Sequence, residues 1–198
     1  MFPKVVSIYI KKQLLKYMEK RRNMIDLSDR NIAMEADEAE DTLKDRYLTF
    51  FLGKENYAIE IRYVTEIIGR QNITEMPELP EYFKGILNLR GRIIPIMDAR
   101  LRFKKEPREY TDRTCIIVFN LDGILMGLVV DSVTEVLTIP EESVVELARV
   151  SESFENRYIK KVAKTGSEIK MIVDCRKLLS KDELEGLTEF AEIQADAD

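Results

Sequence analysis

The strongest constraint on the fold of this 198-residue chain is that it carries the same pattern twice. Val64-Thr65-Glu66-Ile67-Ile68 recurs as Val133-Thr134-Glu135-Val136-Leu137, an offset of 69 (133 − 64). The same offset lays Leu48 on Ile117, Phe50 on Phe119, Leu52 on Leu121, Ile59 on Leu128 and Ile61 on Val130 without a gap. Further on, Ile96-Met97-Asp98-Ala99-Arg100 falls on Ile172-Val173-Asp174-Cys175-Arg176 at an offset of 76 (174 − 98), so the second copy holds a short insertion. Both copies run in one order: a hairpin, the V-T-E segment, a connecting loop, and a strand ending in Asp-x-Arg. Two related units follow, about 46–108 and 112–179.

Within each unit the period is two. Leu48, Phe50 and Leu52 alternate with Thr49 and Phe51, and Tyr57, Ile59 and Ile61 alternate with Ala58, Glu60 and Arg62, as in half-buried strands. Residues 53–56 supply the first turn, and Arg90-Gly91-Arg92 supplies a second between Ile86–Leu89 and Ile93–Met97. Units this short, rich in Val, Ile, Phe and Tyr, read as small barrels that need one another's surface to make a sufficient core. Ser180 with Glu183 three residues on reads as a capping box opening a C-terminal helix, whose Leu184 and Leu187 can cover a barrel. Residues 46–187 are thus one expected domain. An N-terminal extension, 1–45, is first basic (Lys4 to Arg22) and then acidic (Asp26 to Asp45), and 188–198 is an acidic end. Ile10, Leu14, Leu15 and Met18 have helical spacing, so the extension reads as a short basic amphipathic helix, a disordered tail, or residues ahead of the true start, since Met24 and Met34 precede the first strand.

Composition removes most chemistry. There is no histidine, which excludes Ser-His and Cys-His pairs, His-containing zinc sites and histidine phosphotransfer on this chain. A net charge of −5 argues against a nucleic-acid binder, and no apolar run approaches the roughly 20 residues of a membrane span. Cys115 and Cys175 are too far apart for a CxxC site and read as core residues of a reduced, cytoplasmic protein. Met76, Met97, Met126 and Met171 read as core filler. Gly85, Gly91, Gly123 and Gly127 are isolated and make no phosphate cradle, and no metal or cofactor site is expected. Asp98 and Asp174 occupy equivalent places in the two copies and read as turn-capping groups at corresponding corners of separate barrels; Asp131 is ambiguous. A small β-barrel enzyme using these three carboxylates remains an alternative.

Recognition by surface is what the inventory leaves. Arg90 sits at the Asn88-Leu89-Arg90-Gly91 turn, where a guanidinium either meets a partner's carboxylate or carbonyl or stays solvated while Asn88 and Gly91 shape the turn. The run Gly85-Ile86-Leu87-Asn88-Leu89-Arg90-Gly91-Arg92-Ile93-Ile94-Pro95-Ile96-Met97-Asp98-Ala99-Arg100 strongly resembles the signature of the CheW family of bacterial chemotaxis coupling proteins, as do 57–68 before it and 128–137 after it. The resemblance spans about 46–187. It implies a mainly β fold of two tandem five-stranded SH3-like barrels sharing a hydrophobic core. It also implies a non-enzymatic adaptor, cytoplasmic and without cofactors, that joins the cytoplasmic tips of chemoreceptors to the regulatory domain of the histidine kinase CheA. Other copies of the family are further implied partners, whereas nucleic acid and direct membrane insertion are not. By motif position the resemblance puts Leu48, Ile61, Val64 and Ile67 on the kinase-docking face. Glu66, Gly85, Asn88 and Arg90 fall in the receptor-binding region, and Val133 and Val136 at second-barrel contacts. An adaptor of a related chemosensory pathway controlling pili or gene expression would have the same fold and faces with different partners.

Overall fold

The computed structural model describes residues 44–146 and 158–187. Nearly all of the N-terminal extension and the whole 188–198 end, with the readings made for them, lie outside the described residues. The first copy forms β1 (Arg46–Leu52), β2 (Glu55–Glu60), β3 (Val64–Gly69), β4 (Phe83–Leu89) and β5 (Arg92–Asp98), followed by the single-turn α1 (Ala99–Arg102). The second forms β6 (Cys115–Leu121), β7 (Ile124–Val130), β8 (Ser132–Thr138), the short β9 (Val144–Glu146), β10 (Ile159–Thr165) and β11 (Glu168–Val173). Residues 181–187 are helical.

The strands make two sheets, as expected, but neither barrel is one repeat. One sheet runs β3-β6-β7-β5-β4 and the other β8-β1-β2-β11-β10-β9. The first hairpin of each copy has left its own unit and joined the remaining strands of the other. The chain crosses from one barrel to the other within a 3-10 turn, Ile61–Tyr63, and again at Asp131 between β7 and β8. Parallel pairing of β2 with β11 and of β5 with β7 stitches each exchanged hairpin in place. Alternation along a strand specifies which residues share a face but not which strand lies alongside, so the exchange was invisible in the pattern. Asp98 and Asp174, accordingly, end strands of different sheets, though each sheet is assembled from both copies.

Each strand of the exchanged hairpins buries both faces. One face fills its barrel: Leu87, Ile94, Ile96, Ile116, Val118 and Val129 in the five-stranded barrel, and Tyr47, Ala58, Ile139, Ala163 and Ile172 in the six-stranded one. The other face meets the opposite barrel in a larger shared cluster that includes Leu48, Phe50, Leu52, Ile59, Ile117, Phe119, Leu121 and Leu128. At about 25 cal/mol per Å² of apolar surface removed from water, such a layer is the main stabilising contribution a domain of this size can draw on. Leu184 and Leu187 of the C-terminal helix pack against it. The expected capping box is formed: the Ser180 amide donates to Glu183 Oε2 (2.6 Å) and the Glu183 amide to Ser180 Oγ (3.3 Å). Glu183 also accepts from the Tyr82 hydroxyl and from Arg102 (3.2 Å), whose guanidinium lies over the rings of Tyr82 and Tyr158, themselves mates at the offset of 76.

Two polar details distinguish the halves. The same bulge interrupts β1–β8 and β3–β6. In the former, one of the Thr49 and Thr134 hydroxyls donates to the other (2.6 Å), and the acceptor of the pair turns its own proton to a carbonyl, that of Glu135 from Thr49 Oγ1 (3.0 Å) or that of Thr49 from Thr134 Oγ1 (3.1 Å). In the latter the mate of Thr49 is Val118, and the buried Thr65 hydroxyl has no partner. The second detail is a clamp. Arg100 on α1 makes a bidentate pair with Asp131 (2.6 and 2.6 Å), which also accepts from the Gly53 amide at the β1–β2 turn (2.7 Å) and so ties the two barrels together. Burial by itself would raise the Asp131 pKa, but the hydrogen bonds from Arg100 and from the Gly53 backbone outweigh it and hold the carboxyl below its ordinary range.

Thr65→Val removes an unbonded buried hydroxyl and should raise stability by about 1 kcal/mol, whereas Thr134→Val removes the bond between the two hydroxyls, leaving Thr49 only the Glu135 carbonyl, and should lower it by about 1 kcal/mol. Urea midpoints at unchanged slope would read both. Because the Asp131 pKa is depressed in the folded state, its stabilisation is present above the unfolded carboxylate value and is lost as the pH falls through the folded one. The stability gap between wild type and Asp131→Asn should therefore be constant near neutrality and close as the pH drops below about 4.

Candidate protein-docking face

The Asn88–Gly91 turn is built by its own residues. Arg90 and Gly91 both have positive φ (55° and 91°), as a two-residue hairpin loop that follows the strand twist requires, and Asn88 Oδ1 accepts the Gly91 amide (2.9 Å). The same device recurs at Asn120-Leu121-Asp122-Gly123, with φ of 50° and 99° and a 2.9 Å bond from the Gly123 amide to Asn120. At the first turn a guanidinium stands at the tip. Arg90 is 77% exposed, and its Nη2 donates to Glu66 Oε2 (2.9 Å) on β3, linking the turn after β4 to the other edge strand of the sheet. Asn88 and Gly91 thus shape the turn, and Arg90 is displayed by it, paired with the chain's own Glu66.

Gly85 is placed as backbone. It lies at a bulge in β4 with φ of +124°, and a Cβ there would stand 2.0 Å from the Thr74 carbonyl oxygen. Thr74 exchanges two backbone hydrogen bonds with Ile86, each 2.9 Å, and these hold the 70–82 connection against the sheet. A side chain at 85 would push that connection away. The loop it positions carries Met76 and Leu79 outward as exposed apolar residues, so Met76 is not core filler, although Met97 and Met126 are fully buried.

The aliphatic residues assigned to docking sit deeper than the motif implied. Leu48 (0% exposed), Val64 (0%) and Ile61 (3%) belong to the shared inter-barrel core, as does Val133, and offer no side-chain surface. A small barrel alone would expose them, but here the second barrel already covers that face. Ile67 and its mate Val136 are only partly buried, packed against the core from outside, and keep some surface. Ile67 and Glu66 are consecutive on β3 and so face opposite sides of the sheet: Ile67 lies against the core that holds Leu48, Ile61 and Val64, and Glu66 pairs with Arg90 on the other side.

The carboxylates weighed for catalysis are each engaged in local structure and do not converge. Asp98 Oδ1 accepts the amides of Arg100 (2.7 Å) and Leu101 (3.2 Å), capping α1, while its Oδ2 accepts the Tyr110 hydroxyl (2.8 Å). Asp174 accepts the Arg176 amide (3.2 Å), and Asp131 is in the clamp. Among the described residues no group of three His, Cys, Asp or Glu side chains is placed to hold a metal ion. Cys175 is buried, and desolvation, with Glu60 and Asp174 nearby, pushes its thiol pKa far up, away from thiolate chemistry. What the face presents is a rigid turn, one guanidinium–carboxylate pair and partly exposed aliphatics, the elements of a protein contact.

The chain is similar to known proteins in sequence and in fold. A family model of the CheW-like domain matches residues 46–183. Chemotaxis protein CheW of Klebsiella aerogenes is 34% identical over 146 residues, which cover 74% of this chain and 88% of that protein. Chemotaxis protein CheW of Treponema pallidum is 32% identical over 144 residues, 71% of this chain and 85% of that one. Among solved structures, the scaffolding protein TtCheW from Thermoanaerobacter tengcongensis matches with a TM-score of 0.65 at 32% identity, covering 70% of this chain and 94% of that chain. The paired, hairpin-exchanged sheets and the displayed Arg90 turn lie wholly inside the matched region, and the chain belongs to the CheW-like domain family.

Proposed function

We propose that the chain is a non-enzymatic chemotaxis adaptor that joins the cytoplasmic tips of chemoreceptors to the regulatory domain of the histidine kinase CheA. The observation that carries this reading is the patch around Arg90: in a CheW-like domain, a guanidinium is held out from a turn whose geometry Asn88 and Gly91 set, next to Glu66. Glu66, Asn88 and Arg90 engage the receptor tip, and Gly85 acts through the 70–82 connection rather than by contact. The kinase regulatory domain docks on the surface that Ile67 retains, with Leu48, Ile61 and Val64 fixing its shape from the core. Val136, the half-buried mate of Ile67, offers the corresponding contact on the other barrel, with Val133 behind it. The adaptor works in the cytoplasm; no helix among the described residues is long and apolar enough to cross a membrane.

Coupling on this scheme needs no covalent step. It needs contacts to receptor and kinase whose strength differs between the kinase-on and kinase-off arrangements. A body whose barrels share a core and a clamp transmits such a difference as a shift of one surface relative to another.

Calorimetric titration against the CheA regulatory domain and against a receptor-tip fragment, run separately, tests both faces. Arg90→Glu places like charges opposite each other at an exposed pair and should cost little stability, at most about 1 kcal/mol. It should weaken receptor binding by about tenfold or more while leaving kinase binding intact. Ile67→Glu should do the reverse. Gly85→Ala should weaken receptor binding although residue 85 touches nothing outside the chain. If a folded wild type bound neither partner from its own organism, the coupling role would be wrong.

A further inference from the structure

The two barrels are related position by position, and at one place they differ sharply. In the five-stranded barrel Ile94 is a fully buried core residue, and Leu125 packs beside it. Their mates in the six-stranded barrel, at offsets of 76 and 69, are Lys170 and Asn56, which are direct neighbours in the parallel β2–β11 register. Lys170 alternates with Ile172 and Asn56 with Ala58, both of that barrel's apolar interior, so an ammonium and an amide replace an isoleucine and a leucine on the inner wall. Both are over nine-tenths buried. A buried ammonium is costly, and apolar replacement of such groups is commonly neutral or stabilising. The sister barrel shows that closure does not need them.

What the two groups do together is grip a carboxylate. Lys170 Nζ donates to Glu168 Oε2 at 2.9 Å, and Asn56 Nδ2 reaches the same oxygen at 3.3 Å. The captured group belongs to the β10–β11 tip, where the Glu168 side chain is 61% exposed. Glu168 engages one of the ammonium's three donors and leaves two for a second carboxylate oxygen, whereas Asn56 Oδ1, an acceptor buried without a partner, has nothing to gain from a carboxylate and leaves the grip to Lys170 Nζ and Asn56 Nδ2. Beside it on the outer wall of the same strand, Ile169 is 66% exposed, among the most exposed large apolar residues described.

We propose that Lys170 and Asn56 form a carboxylate socket, closed at rest by the chain's own Glu168, that accepts an aspartate or glutamate side chain of a partner protein at the β10–β11 tip. Glu168 is then an internal competitor: it keeps the ammonium paired when no partner is present and lowers the apparent affinity of the socket by the fraction of time it occupies it. The site is distinct from the Arg90 face and extends the adaptor reading without depending on it.

The test uses the full chain and two capped tripeptides, acetyl-Ile-Glu-Ile-amide and acetyl-Ile-Gln-Ile-amide, followed by backbone NMR shifts. The glutamate peptide should shift the β10–β11 tip saturably in wild type. It should bind about tenfold tighter to Glu168→Ala, from which the competitor is gone. The glutamine peptide should do nothing. The double variant Lys170→Ile/Asn56→Leu copies the sister barrel; it should melt at or above the wild-type temperature and lose the response. Equal affinity in wild type and Glu168→Ala, a response undiminished in the double variant, or no response to the glutamate peptide in any form would overturn the proposal. Neither kinase nor receptor enters the measurement, so its failure would leave the adaptor reading standing.

Discussion

The apolar layer between the barrels is the constraint on which everything else rests. Leu48, Phe50 and Leu52 of β1 and their mates Ile117, Phe119 and Leu121 of β6 meet there, all essentially inaccessible to solvent. They stand on the two hairpins that exchanged units, and the opposite faces of those hairpins fill the barrel interiors. Neither repeat can therefore close by itself: without β1 and β2, strand β11 loses its parallel neighbour, and without β6 and β7, strand β5 loses its own. The exchange converts two marginal units into one body with a common core.

On that nearly symmetric scaffold, polar groups break the symmetry. The Arg100–Asp131–Gly53 clamp has no strict counterpart, because the mate of Asp131 is Arg62 and the mate of Gly53 is Asp122; there Arg176 and Asp122 are only loosely paired at 4.0 Å. The Thr49–Thr134 bonds have a counterpart with one partner missing at Thr65. Lys170 and Asn56 stand where the other barrel has Ile94 and Leu125. A duplicated sequence first fixes the apolar framework; single polar substitutions then make the two halves different surfaces.

The docking face was partly legible in advance. The Asn-x-Arg-Gly turn could be read because its geometry is local: Asn88 bonds three residues along its own chain and Gly91 supplies a positive φ. The Asp98 cap and the Ser180–Glu183 box were legible for the same reason. The partner of Arg90, Glu66, was named for the same region by motif position, but their ion pair spans 24 residues and had no local signal. Leu48, Ile61 and Val64 were placed on a surface that the second barrel in fact covers, since alternation cannot tell a face buried by another sheet from one left for a partner. Lys170 was missed altogether. Only its alignment with Ile94 at the offset of 76 could have flagged it, as a charge standing where the other copy has a core residue.

By itself, the sequence determined the order of the main strands, the faces along them, the turns and caps, and the duplication, because all of these depend on residues close in the chain; it implied five strands in each barrel, and the short β9 makes the second sheet six. Tertiary structure alone decided which hairpin sits in which barrel, which aliphatic residues are core rather than surface, and where a lysine and a glutamate from one strand meet an asparagine from another. Those outcomes depend on pairing between segments up to 114 positions apart, as Asn56 and Lys170 are in the β2–β11 register, and on what covers each face once the barrels pack. A period of two is silent on both.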